Sequence, residues 1–169
     1  LIGTAGVWVG AIAGACAALL ALAGLNGERE RAMRAARVLT WLMGAGVMTA
    51  ACSLVYVLLT HDASSVYVAA HSSRQSELVY RIAAAWAERE GSALVWCGLS
   101  GAVGVLSVRA TRGMASTRYT GVVIAMLGGV TSALCAIVLW TDNPFTAQTR
   151  VLACDGHGLD PRLMHWAMV

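Results

Sequence analysis

The chain has 169 residues, of which 58 % are apolar and 12 % charged, where a soluble domain carries about 25 % charged residues. Mean hydropathy is +0.67, and all twelve cations are arginine. Such a chain is neither a soluble globular enzyme nor a disordered segment. Five cysteines scattered singly make no disulfide framework, and a net charge of +3 is too small for a nucleic-acid footprint. The composition is that of an integral membrane protein.

A hydrocarbon core of about 30 Å is crossed by about 20 apolar helical residues. Four stretches meet that requirement: about 1–25, 38–60, 92–108 and 119–141. None holds Asp, Glu, Lys, Arg or His, since a charge at mid-bilayer costs about 3 kcal/mol even on the lenient insertion scale. A fifth span is expected to begin near Leu163, where LMHWAMV turns apolar. The reading is an all-α polytopic membrane bundle, one membrane domain over 1–169. It has four complete spans, the start of a fifth, and an amphipathic helix on the outer face. The first span lacks the basic flank and A-x-A site of a signal peptide. With no initiator methionine and an apolar final run, the chain reads as part of something longer.

Arginine counts set the orientation. Arg29, Arg31, Arg34 and Arg37 follow the first span, and Arg109, Arg112 and Arg118 follow the third, against only Glu28 and Glu30. The opposite face has five arginines and seven carboxylates. The basic loops are therefore expected in the cytoplasm, and the N-terminus outside. The two long segments, 61–91 and 142–161, are then expected on the periplasmic or equivalent face. Gly6, Gly10 and Gly14 form a ridge on the first span. Gly98, Gly101 and Gly104, with Gly121, Gly128 and Gly129, put small patches on the third and fourth. Small residues of this kind let helix backbones approach in lipid.

In the first outer segment a helical period starts near Gln75, with Leu78, Val79, Ile82, Ala85 and Trp86 on overlapping faces. Ser73 or Ser76 suits its N-cap, and Gly91 is expected to end it. It reads either as an anchor at the membrane surface or as a shelf over a site between the spans. The second outer segment carries turn signals at Asn143-Pro144 and in DGHGLDP. His61, His71, His157 and His165 all fall on this face or its membrane edge. No pair has zinc-ligand spacing, and there is no C-x-x-C-H run for covalent heme. Cys16, Cys52, Cys97 and Cys135 lie in the spans as small hydrophobes, and Cys154 alone lies outside. Trp8, Trp41, Trp96 and Trp140 fit interfacial belts, which leaves Trp86 and Trp166 to contact a flat ligand.

The run YVAAHSSRQSELVYRIAAAWAEREGSALVW resembles the signature of the CcmF family, the heme lyase subunit of cytochrome c maturation. Tyr67, Ser72, Tyr80, Trp86, Glu90, Gly91, Ser92 and Trp96 fall on the matching positions. The later NPF, with Asn143 and Pro144, and DGHGLDPRLMHWAMV resemble the family's next stretches. Ala87 and Glu88 stand where the family has paired glycines, and Asp160 and Arg162 where it has Asn and Leu. The resemblance implies a heme platform, or a partner-facing wall, built from those ten residues. The cofactor it implies is heme b, with axial histidines and a tryptophan-rich WWD segment beyond this chain. No metal ligand and no catalytic residue is assigned here. The implied partners are a heme chaperone, thioredoxin-like and apocytochrome-holding subunits, apocytochrome c and the remainder of the lyase, at the bacterial inner membrane. As this chain alone, the protein is not expected to be active. The alternative reading is a noncatalytic four-span docking module or a fragment of an unrelated transporter.

Overall fold

The computed structural model describes residues 1–25, 30–60, 89–112, 117–141 and 143–145, without the side chains of Glu90 and Thr117. Four helices carry the described chain: α1 (Ile2–Leu25), α2 (Glu30–Thr60), α3 (Arg89–Ala110) and α4 (Thr117–Trp140). All four are long and apolar enough to cross a membrane. In each, less than two fifths of the spanning window is buried within the described bundle, so the larger share of every helix faces outward from it.

The helices form a ring in chain order. α1 and α3 each pack against α2 and α4, while α2 and α4 meet only slightly across the diagonal. Neighbours run antiparallel. Gly6 faces Gly46 and Ala50, Gly14 faces Gly128, and Gly101 faces Gly44 and Val47. One end of the ring therefore gathers the start of α1, the end of α2, the start of α3 and the end of α4. The ends that bear Arg31, Arg34, Arg37, Arg109, Arg112 and Arg118 meet at the other.

Successive residues on an α-helix turn by about 100°, so a ridge of every fourth residue drifts by about 40° per step. The α1 ridge uses that drift to serve two neighbours. A Cβ on Gly6 would lie 2.6 Å from the Gly46 carbonyl oxygen, and one on Gly14 would lie 2.9 Å from that of Gly128. Both contacts are reciprocal, at 2.9 Å from Gly46 to the Gly6 oxygen and 2.7 Å from Gly128 to the Gly14 oxygen. Two apolar clusters fill the ring. Val7, Val47, Leu54, Leu58, Leu94 and Val138 lie toward the first end, and Ala17, Ala21, Met33, Ala36, Val108 and Ile124 toward the basic end. Met43, fully buried, sits at the waist between them against the Cα faces of Gly14 and Gly104.

Two boundaries differ from the sequence reading. α2 starts at Glu30 rather than near residue 38, so Arg31, Arg34 and Arg37 ride on a helix and not in a loop. The stretch is rich in Ala, Arg, Met and Glu, all strong helix formers, and it buries Met33, Ala36 and Thr40 at helical spacing. Gly91 does not end a helix. It lies buried within the first turn of α3, which runs on through Ser92. A glycine stops a helix only where the chain needs a left-handed turn, and the apolar run that follows propagates instead. The expected surface helix before it, the fifth span and all four histidines lie outside the described residues.

Candidate functional site

The described parts of the two motif-bearing segments, 89–96 and 143–145, lie at the end opposite Arg31, Arg34, Arg37, Arg109, Arg112 and Arg118. α4 closes there with Thr141, whose amide and hydroxyl both donate to the Ile137 carbonyl, at 2.9 and 2.7 Å. The corner that follows is set by Asn143, whose Oδ1 accepts the Phe145 amide at 3.0 Å, a side-chain turn of the kind asparagine favours. Pro144 is buried. The Phe145 ring lies on the Cα face of Gly3, where any side chain would overlap it. The N-P-F corner is thereby fastened to the first turn of α1, more than a hundred residues earlier. Trp8 and Trp140 brace the same seam edge to face, with centroids 6.4 Å apart and planes at 64°.

Beside this seam the outer wall of α1 and α2 opens into a cleft of about 950 Å³. Ile2, Gly3, Met48, Cys52, Tyr56 and Phe145 are among its lining residues, so its wall is chiefly apolar. Its polar atoms come from Thr49, Ser53, Cys52 and Tyr56, and the hydroxyls of Thr49 and Ser53 are already turned back to carbonyls of their own helix. The cleft thus offers an apolar slot with a phenol and a thiol rather than acid–base machinery.

Of the ten platform residues expected from sequence, Tyr67, Ser72, Tyr80 and Trp86 lie outside the described residues, as do Cys154 and Trp166. Glu90 is placed by its backbone in the first turn of α3. Ser92 donates to the Arg89 carbonyl at 3.0 Å, a helix-start contact rather than a ligand-facing one. Trp96 is 61 % exposed on the outside of the ring. Gly91, Ser92, Asn143 and Pro144 share the same end, since Cys97 meets Cys135 and Ser100 meets Thr131 at a constant antiparallel register. None of them lines the cleft. Sequence reasoning passed over Tyr56, Cys52 and Phe145, which do. Phe145 had a signal, the N-P-F run itself. Tyr56 and Cys52 had none, because their face of α2 is apolar with or without a cleft.

A heme carried by this portion would need an iron ligand. The described residues contain no histidine, and the side chains of the cleft able to ligate iron are the Cys52 thiol, the Tyr56 phenol and the Met48 thioether. The lining as a whole suits a wall against a flat apolar ring.

No family model matches the chain. Individual proteins do. The chain is 31 % identical over 137 residues to the cytochrome c-type biogenesis protein CcmF of Escherichia coli, covering 79 % of this chain and 20 % of that protein. With CcmF of Haemophilus influenzae it shares 28 % identity over 156 residues, 90 % of this chain and 23 % of that one. The solved structure of a cytochrome c heme lyase CcmF superposes with a TM-score of 0.79 at 27 % identity, over 89 % of this chain and 25 % of that chain. The chain thus spans about a fifth of the length of the curated relatives it matches.

Proposed function

From the premise that this chain belongs to the CcmF family of cytochrome c-type biogenesis proteins, we propose that it is a four-helix membrane part of a heme lyase. In this reading it helps present heme at the outer membrane face for attachment to C-x-x-C-H thiols of apocytochrome c. The observation that carries the reading is positional. The stretch around Gly91, Ser92 and Trp96 and the Asn143–Phe145 corner, the two regions that resemble the family's motifs, stand at one end of the same ring.

Heme, when bound, supplies the vinyl groups to which thiols add. The residues of this chain would do three things there. The N-P-F corner fixes the end of α4 against α1. The Trp8–Trp140 pair and the apolar cleft exclude water beside it. The Trp86–Ser92 stretch forms a wall for the ring or for a partner. The axial histidines belong to the rest of the lyase in this reading. So do the contacts with the heme chaperone and with the thioredoxin-like and apocytochrome-holding subunits. The arginine asymmetry supports an inner-membrane topology with this end in the periplasm. Cysteines placed at Ala32 and Ala115 are then expected to resist a membrane-impermeant label from outside, while one at Gln75 reacts. The reverse pattern overturns the orientation.

The functional test uses heme-stained cytochrome c per unit of membrane-inserted protein. Trp86→Phe and Glu90→Gln, made in the complete lyase, are expected to lower that yield with insertion unchanged. Wild-type yield from both variants would make the stretch an anchor alone and favour a docking module.

A further inference from the structure

The basic end carries a feature that the proposed heme chemistry does not use. Arg34, Arg37, Trp41 and Met48 share one face of α2, the flank turned toward α3. Where α3 ends, a turn closed by the Arg112 amide on the Arg109 carbonyl, at 3.2 Å, brings Arg112 back over that flank. The Arg112 guanidinium carbon then stands 5.5 Å from the centroid of the Trp41 ring, within reach of a cation–π contact. Half-buried Arg37 lies one helical turn from Trp41, and its Nε is buried with no hydrogen-bond partner. Protein atoms cover that Nε, so an acceptor from outside meets the terminal nitrogens of the guanidinium fork.

Charge and surroundings identify that acceptor. Among the described residues of this end, Glu30 is the one carboxylate, and no ion pair ties it to Arg34, Arg37 or Arg112. Guanidinium forks match the tetrahedral oxyanion of a phosphate. Below the arginines, away from the basic end, the same flank continues as apolar surface: Trp41 at 37 % exposure, Met48 at 45 %, and Met48 leaning toward Gly98 of α3. A ligand that fits has an anionic phosphate head at the arginines and a hydrocarbon tail along the α2–α3 seam. We infer that Arg34, Arg37, Arg112 and Trp41 form a seat for one anionic phospholipid, with its phosphodiester between the guanidiniums.

The test is lipid retention by the purified protein, measured by native mass spectrometry after exchange into micelles doped with phosphatidylglycerol or phosphatidylcholine. One phosphatidylglycerol is expected to remain bound, and phosphatidylcholine is not. At about fivefold per arginine near a phosphate surface, Arg37→Gln with Arg112→Gln is expected to weaken retention about 25-fold. Arg112→Lys, which keeps the charge but loses the planar stack, is expected to give a partial loss, and it stands in should the double variant fail to insert. Arg118→Gln removes the same charge from α4, away from the seam, and is expected to leave retention unchanged. Equal loss from Arg118→Gln would make the effect a diffuse potential and overturn the seat. Displacement of the lipid by millimolar inorganic phosphate, or equal retention of phosphatidylcholine, would overturn it too.

Discussion

α1 and α3 occupy opposite corners of the ring, and the seams α1 makes with its two neighbours differ in kind from the one α3 makes with α4. α1 meets α2 and α4 through backbone: Gly6 against Gly46, Gly14 against Gly128, each with a carbonyl oxygen where a side chain would stand. One hydroxyl is added, Ser132 donating to the Ala11 carbonyl at 2.9 Å. α3 meets α4 through side chains, with the Ser100 and Thr131 hydroxyls 2.7 Å apart and the Cys97 and Cys135 thiols buried in one cluster a turn away. Lipid gives no hydrophobic drive to either seam. The glycine seams gain from dispersion across closely approaching backbones, and they tolerate no added atom. The α3–α4 seam gains from a few polar contacts and has room to adjust.

That contrast makes an ordered set of predictions. A large effect is expected at Gly46, where an added Cβ meets the Gly6 oxygen at 2.9 Å and the Gly10 nitrogen at 3.0 Å, both backbone atoms that cannot step aside. Gly46→Val is expected to cost upward of about 3 kcal/mol, at the top of the overpacking range, read as loss of helical signal at lower denaturing-detergent fraction. If Gly46→Val unfolds like the parent, the seams are not backbone-limited. Ser100→Ala should be milder, about 0.6 kcal/mol as for typical hydrogen bonds between membrane helices. A cost of several kcal/mol there would move the α3–α4 seam into the unforgiving class. Gly98→Ala, though buried, adds a Cβ at an ordinary 3.6 Å from the Ala51 methyl, and its contact and helix-propensity gains are expected to keep unfolding within about 1 kcal/mol of the parent. Gly129, with nothing within 4 Å, is the null control. Gly129→Ala should only gain, by up to about 1 kcal/mol of helix propensity.

The four spans were legible because lipid imposes a length and an apolarity that few other environments demand. The α1 ridge was legible for the same reason. Its partners were not, since Gly46 and Gly128 become contacts only once the ring order is fixed. The start of α2 was misplaced because counting apolar residues stops at an arginine, whereas the helix does not. Met33, Ala36 and Thr40 already kept its period. At the candidate site the Asn143-Pro144 turn was readable from residue type alone. The seating of Phe145 on Gly3 was not, because it joins residues from the two ends of the described chain. Trp41 was taken for a belt residue, and its pairing with Arg112 depends on a turn after α3 that hydropathy does not report.

The length of α2 fixes how the ring sits relative to bilayer thickness. Its 31 residues make a rod of roughly 46 Å, against a hydrocarbon core of about 30 Å. Arg31, Arg34 and Arg37 are spaced along that rod at steps of about 4.5 Å, like marks on a depth gauge. Arg37 is the lowest mark and the half-buried one. In a thicker membrane it would be the first of the three drawn beneath the phosphates, and the continuous helix above it leaves no joint at which to bend away. The ring would answer by standing more upright as a unit or by drawing the bilayer thinner around it, and its opposite rim, with the cleft and the N-P-F corner, would move with it.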